Sequence, residues 1–499
     1  MKKINRFLLI ALVISGVLVG CKKDVLDVPN ENDPDFEKVL ATPADVETLA
    51  GGLFNTIFHG EQDASGPKPM LSVAADNGTC SWGNFGMRDM SYEPRNNAWN
   101  NAPTYANNGY SKYSYDQWYS AIGSASDILT AINNGMEIVI NGQDRTNRTK
   151  AMAKFALGLA YGNLALVYDR AHIVDEAKTA EPTLASAVPY KDVATAALAY
   201  LDEALALTEN SFTFPASWLG TASNLTGADF KKIINTSAAR ILAYLPRNKT
   251  ELASVNWAKV KTYADAGITN DWMIQQDNNI WYFEADYYLK ATGWGRTDMY
   301  VAHLMEPSLP QHWDDVASFP HPAKPANPLD KRLESDFEYL PSNDFLAARG
   351  YYHFSCYRFK RYDNVIQASF DFLGPKPTVM AEENNLLRAE ARAYTGDLAG
   401  AAAIINAGTR VTRGVLPPVA AVLQNIVDAI HHERHVELNL TGGMIQFYEM
   451  RKLDKLQKGT PLHLPIPGQT LQLFGETTYY TFGTVAKADG TGTSNAGWR

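Results

Sequence analysis

The 499-residue chain has few cysteines, no excess of positive charge and no long apolar run beyond its first twenty residues. Each shortage excludes something. Three cysteines, Cys21, Cys80 and Cys356, cannot build the disulfide framework of a small secreted module. Lys and Arg total 45 against 54 Asp and Glu, a net charge of −9, so the basic face that nucleic-acid phosphates require is missing. Catalytic signatures are missing too. Gly442-Gly443 lacks the Lys and Ser/Thr of a phosphate-binding loop, and no Gly-x-Ser-x-Gly elbow occurs. His431-His432-Glu433-Arg434-His435 invites a zinc-protease reading, but Glu directly after the first His and a second His four positions on occur in neither register. The Asp-containing loops show no ligand-spaced calcium loop, so neither metal nor cofactor is expected.

What is present begins with an address. Lys2, Lys3 and Arg6 precede an apolar stretch from Phe7 to Val19, too short to span a bilayer at about 20 residues and typical of an export signal. Leu18-Val19-Gly20-Cys21 follows, the pattern of a bacterial lipobox, in which Cys21 takes a diacylglycerol and its freed amine an acyl chain such as palmitate. Several chains at about 0.8 kcal/mol per buried CH₂ hold a protein on a membrane without crossing it. Cleavage at 1–20 removes three basic residues and no acidic one, so 45 basic residues fall to 42 and the mature charge becomes −12. Residues 21–40 read as a polar, lipidated tether, and 41–499 as one large helical unit with insertions. Spacing leaves open whether Cys80 and Cys356 pair.

The expected fold is mainly α. Ala-rich stretches at 150–168 and 190–207, 230–245 and 256–266, and 382–394 and 398–407 carry apolar or small residues at helical spacing and read as packed pairs. Thr395-Gly396-Asp397 supplies a turn glycine and an N-capping Asp. With Ala389, Ala393 and Ala401, the last pair looks like a tetratricopeptide unit. A helix from Val422 to Leu440 and another to about Leu456 end the scaffold.

Between these pairs lie insertions at about 70–115 and 270–345, rich in aromatics. Ten aromatic residues fall between Trp82 and Tyr119 and eight between Trp272 and Tyr300, out of 10 Trp, 25 Tyr and 20 Phe in the chain. They show neither period and read as loops forming a ligand-binding lobe. A ring covers the C–H face of a sugar while Asn, Asp and Arg take its hydroxyls. The candidate contacts are Asp76, Asn77, Trp82, Arg88 and Trp99 from the first cluster, and Trp281, Tyr282, Tyr287 and Trp294 from the second. Asp76, Asp89, Glu93, Glu284 and Asp286 also lie near, but a pair of carboxylates is too common to assign a glycosidase.

In order behind the lipobox, several strings resemble the SusD/RagB family of Bacteroidetes surface lipoproteins. These are Leu26-Asp27-Val28-Pro29, Tyr161-Gly162-Asn163-Leu164, Leu386-Leu387-Arg388-Ala389-Glu390-Ala391, Glu433-Arg434-His435-Val436-Glu437-Leu438 with Gly442-Gly443, Arg451-Lys452-Leu453 and Leu464-Pro465-Ile466-Pro467. The chain departs from the family pattern at His435 and in having Leu438-Asn439-Leu440-Thr441 before Gly442. The resemblance implies tetratricopeptide-like helix pairs carrying a loop-rich lobe, no enzymatic activity, and a place as lid on a SusC-like, TonB-dependent outer-membrane transporter to which a glycan is delivered. It also implies a lipid-anchored, cell-surface location. A peptide-binding lid, a purely structural lid and a lipid-anchored glycoside hydrolase remain as alternatives.

Overall fold

A computed structural model describes residues 40–79, 83–92, 95, 99–176, 183–312, 322–342, 354–482 and 492–498. The signal segment, Cys21, the tether, Cys80 and Trp82 lie outside the described residues.

The helices used below are α1 (Pro43–Gln62), α2 (Lys68–Ala74), α3 (Met87–Ser91), α4 (Gly109–Asn133), α5 (Thr146–Val167), α6 (Tyr190–Leu207), α7 (Gly227–Tyr244) and α8 (Trp257–Asp265). They continue with α9 (Glu284–Lys290), α10 (Met299–Met305), α11 (Ala381–Tyr394), α12 (Leu398–Ala407), α13 (Leu423–Val436) and α14 (Ile445–Lys452). Every sheet among the described residues has two strands. The longest joins β1 (Trp272–Asp277) to β2 (Leu373–Val379), antiparallel, with Leu373 opposite Asp277 and a register shift between Pro377 and Val379. The fold is therefore mainly α.

The three expected pairs form: α5 packs on α6, α7 on α8, and α11 on α12. Small residues explain the close approach. A Cβ at Gly158 of α5 would sit 2.6 Å from the Leu201 side chain of α6, so glycine alone fits there. Asp397 caps α12 by accepting from the Gly400 N–H at 2.9 Å, after Gly396 turns the chain at φ +92°. A fourth pair, α1 with α4, joins α5 on its other side. At its start Thr42 and Asp45 cap α1 reciprocally, and Pro43 sits where no N–H is needed.

That fourth pair corrects one expectation. The first aromatic stretch is helical from Gly109, so Tyr110, Tyr113, Tyr115, Trp118 and Tyr119 sit on α4 rather than in a loop. Its buried set, Tyr115, Trp118, Ala121, Ile122, Ala125, Ile128, Leu129 and Ile132, does keep helical spacing. Only about half of that period lies before Tyr119, and a stretch cut there shows little of it.

Candidate functional site

β1 ends in a turn that sorts the second aromatic cluster into core and surface. Asp277 Oδ1 accepts from the backbone N–H groups of Asn279, Ile280 and Trp281 at 2.9, 2.8 and 2.9 Å. Burial works against the Asp277 carboxylate, but these donors hold its pKa below the usual range. The turn sends Trp281 inward, 5.7 Å from Phe54 and 5.3 Å from Phe58 of α1 between ring centroids, and leaves Ile280 half exposed. Helix α9 then begins at Glu284, which places Tyr287 and Tyr288 three and four positions on, on the same helix surface as its carboxylate.

Tyr288 is the hub of a chain of rings. Phe85 lies 4.5 Å from it, Trp294 4.9 Å, Tyr287 5.3 Å and Phe370 5.9 Å. The chain extends from Phe85 to Tyr110 at 5.7 Å. On the other side it runs from Phe370 to Phe372 at 5.0 Å, to Tyr282 at 5.8 Å and to His59 at 4.7 Å. Phe372 is buried beneath; Phe85, Tyr110, Tyr282, Tyr287, Tyr288 and Trp294 are half-buried, and Phe370 is 41 % exposed. Ile280 and Leu373 add exposed apolar surface on flanking segments of the β1–β2 hairpin pair.

Two members of this shelf sit in backbone conformations that bulky residues avoid. Phe85 has φ 58° and Phe370 φ 66°, both left-handed. Around Phe370 the turn is closed by Gln367 N–H donating to Asp371 O at 2.8 Å and by Phe370 N–H donating to Gln367 O at 3.1 Å. Tyr287 OH ties this turn to α9 by donating to Ala368 O at 3.2 Å. Behind Phe85, Gly86 has φ +70°, and a Cβ there would press within 3.0 Å of Met70 and Trp99. Strain of order 1–3 kcal/mol at each such residue persists where the surroundings fix it, often at binding surfaces.

One edge of the shelf is acidic. His59 Nδ1 meets Asp63 Oδ1 at 2.7 Å and Nε2 meets the Ile280 carbonyl at 2.9 Å. Both partners only accept, so the ring carries two protons, as an imidazolium. Tyr113 donates its hydroxyl to the other Asp63 oxygen. Glu284 Oε2 accepts from Ala64 N–H at 3.0 Å, and burial followed by the Asp63 charge raises its pKa. For His59, burial lowers the pKa, but Asp63 and the Ile280 carbonyl outweigh it and the net direction is up from 6.5. The sign follows: this tie between α1 and the shelf turn is fully present below 6.5 and is lost as pH rises through the higher folded value. A proton NMR titration, with His59→Gln to assign the signal, is expected to give a midpoint above 6.5, lowered in Asp63→Asn. A wild-type midpoint below that value would mean that burial dominates.

The sequence-derived candidates divide between shelf and core. Tyr282, Tyr287 and Trp294 come together on the shelf, and Arg88 is exposed on α3, next in the chain to Gly86 and Met87. Trp281 and Trp99 are buried. Asp76 and Asn77 are buried as well. Asp76 accepts from Arg95 and Gln457, both at 2.9 Å, and from Trp498 Nε1 at 2.6 Å. Asn77 O accepts from Asp298 N–H at 3.0 Å. These four residues are placed in the core, not on a solvent-facing surface, because their rings and polar atoms already meet protein groups. Sequence reasoning did not single out Tyr288, Phe85, Tyr110, Phe370 or His59. The alternation Ser369-Phe370-Asp371-Phe372 was a usable signal for a turn showing one ring and burying the next.

The His-rich string lies in α13 and its side chains are committed elsewhere. His431 Nε2 meets Tyr300 OH at 2.7 Å, His432 Nε2 meets Asp330 at 2.8 Å, and Glu433 accepts from Arg332 at 2.6 and 2.8 Å. No cluster of three or more metal-ligating side chains occurs among the described residues.

Helix pairs carrying a half-exposed aromatic shelf define a class: scaffolded binding proteins with an open recognition surface. Solved structures give the class a narrower form. A SusD superfamily protein from Parabacteroides distasonis superposes with a TM-score of 0.56 at 13% identity, over 83% of this chain and 89% of that one. A SusD superfamily protein from Bacteroides vulgatus gives 0.55 at 13% identity, over 83% and 88%. A SusD-like carbohydrate binding protein from Bacteroides fragilis gives 0.54 at 16% identity, over 83% and 86%. No family model and no curated protein matches the sequence. The chain has the SusD-like fold.

Proposed function

We propose that the protein is a substrate-binding subunit of an outer-membrane nutrient-uptake system, capturing oligosaccharides on the aromatic shelf without covalent chemistry. The observation that carries this reading is the continuous ring chain from Tyr110 through Tyr288 to His59, half-buried and bordered by Glu284 and Asp63. Ring faces held by their neighbours suit the C–H faces of successive sugar units, and the bordering polar groups suit hydroxyls. That some solved proteins of the same fold are named for carbohydrate binding supports a glycan. The lipobox supports anchoring through Cys21, and the family resemblance supports delivery to a SusC-like, TonB-dependent transporter from a position on the outer membrane, facing the cell surface. Among the described residues no helix is long and apolar enough to cross a membrane.

A hydrolase is the less favoured reading, because Asp63 is already held by His59 and Tyr113 and so is poorly placed to pair with Glu284 as acid and base. Calorimetric titration of the detergent-solubilised protein against oligosaccharides and peptides tests the ligand. Saturable glycan binding without product release is expected, whereas binding of peptides alone would sink the glycan reading. For the anchor, cells fed labelled palmitate are expected to incorporate it into the wild-type protein and not into Cys21→Ala. Equal labelling of the two would remove Cys21 from its role.

A further inference from the structure

The charge around the shelf is lopsided, and one carboxylate is open. Glu284 spends Oε2 on the Ala64 N–H, while Oε1 has no protein partner among the described residues. Its position at the start of α9 puts that carboxylate on the helix surface shared with Tyr287 and Tyr288. Asp371 and Asp89 lie beside the two left-handed turns that carry Phe370 and Phe85. The cations nearby are occupied. His59 is held between Asp63 and Ile280 O, and Lys290 donates to Asp363 at 2.7 Å and to Ile366 O at 2.8 Å. Arg88 is the exposed exception, adjacent in the chain to Asp89.

We infer that the shelf selects its glycan by charge, accepting neutral units, favouring amino-bearing ones over Glu284 and the Tyr287–Tyr288 rings, and rejecting chains that carry uronate or sulfate. The inference rests on the glycan-binding reading of the same rings. Two physical effects point the same way. Aromatic faces present negative potential and attract an ammonium group. A half-buried carboxylate with a free oxygen attracts the same ammonium and repels an anion, over distances at which water screens only partly. A neutral sugar meets neither effect, since a carboxylate oxygen accepts equally well from its hydroxyls.

The test uses the full-length protein in detergent with three probes of equal length: a chitosan hexamer with free amines, its N-acetylated counterpart, and a hexagalacturonate. In low salt the amine form is expected to bind about tenfold more tightly than the acetylated form, and the uronate at least tenfold more weakly. Glu284→Gln is expected to bring the first ratio close to unity while shifting the acetylated chain's affinity by no more than about threefold. Hexagalacturonate bound as tightly as the neutral chain, or an amine preference that survives in Glu284→Gln, overturns the inference and leaves the glycan reading standing. Failure of all three probes to bind, repeated with neutral β-glucan and xylan oligomers, overturns the glycan reading itself and the charge selection with it.

Discussion

Replacing Arg434 by Met is expected to cost about 3–5 kcal/mol of stability, because it leaves buried carboxylates without their main partner. Arg434 is fully buried in α13, donating Nη1 to Glu449 at 2.5 Å and Nη2 to Glu390 at 2.6 Å. Lys452 bridges the same two carboxylates at 2.6 and 3.2 Å. The cluster thus joins α13, α11 and α14, three helices from distant parts of the chain. Burial opposes ionisation of Glu449, yet the Arg434 and Lys452 charges hold its pKa well below the ordinary value. Remove Arg434 and two buried carboxylates share one ammonium, an arrangement relieved only by taking up a proton or by opening the helices. Urea unfolding followed by Trp fluorescence would measure the loss. The double variant Arg434→Met/Glu390→Gln is expected to lose less than the single changes summed, since the two residues share one interaction. A single-variant loss under about 1 kcal/mol would mean that the cluster holds register rather than stability.

The same cluster explains why parts of the fold were legible and others were not. Paired helices announce themselves through local spacing, and Gly158 against Leu201 shows the small-residue contact that an Ala-rich stretch implies. His431-His432-Glu433-Arg434-His435 was correctly denied a zinc-protease pattern, but nothing local names Asp330, Arg332, Glu390, Glu449 and Tyr300 as its partners. Those contacts are made between residues far apart in sequence, and the sequence of one chain does not pair them. The shelf was half legible for a related reason. A cluster of aromatics marks a region, yet whether a ring faces out is decided by the next turn of backbone. Asp277 with its three N–H donors buries Trp281 and leaves Tyr282 at the surface, one residue later. Asp76 and Asn77 looked like sugar ligands from their type and neighbourhood. Their partners Arg95, Gln457, Trp498 and Asp298 come from segments that no spacing rule connects to them. Phe370 lay outside both clusters and reached the shelf only because β2 pairs with β1.

Tyr288→Ala is expected to weaken glycan binding by roughly 30- to 1000-fold, the effect of losing a central aromatic anchor worth about 2–4 kcal/mol. Tyr288 touches Phe85, Tyr287, Trp294 and Phe370, so its loss removes one ring and also the support that sets the tilt of four others. The last part matters because Phe85 and Phe370 are held in left-handed backbone, where relaxation away from the shelf lowers local strain. Stability should barely move, within about 1 kcal/mol, since the ring is half-buried at the surface. Trp281→Ala separates binding from packing. That ring is 5 % exposed against Phe54 and Phe58, so truncation is expected to cost about 3–5 kcal/mol of stability. Tyr288→Phe keeps the ring and loses only the hydroxyl, and should hold affinity within about tenfold if stacking dominates. Calorimetric titration of the three variants with one neutral oligosaccharide decides the matter. If Tyr288→Ala binds like wild type while Trp281→Ala, still folded, loses the ligand, recognition lies on the inner ring and the shelf is not the binding surface.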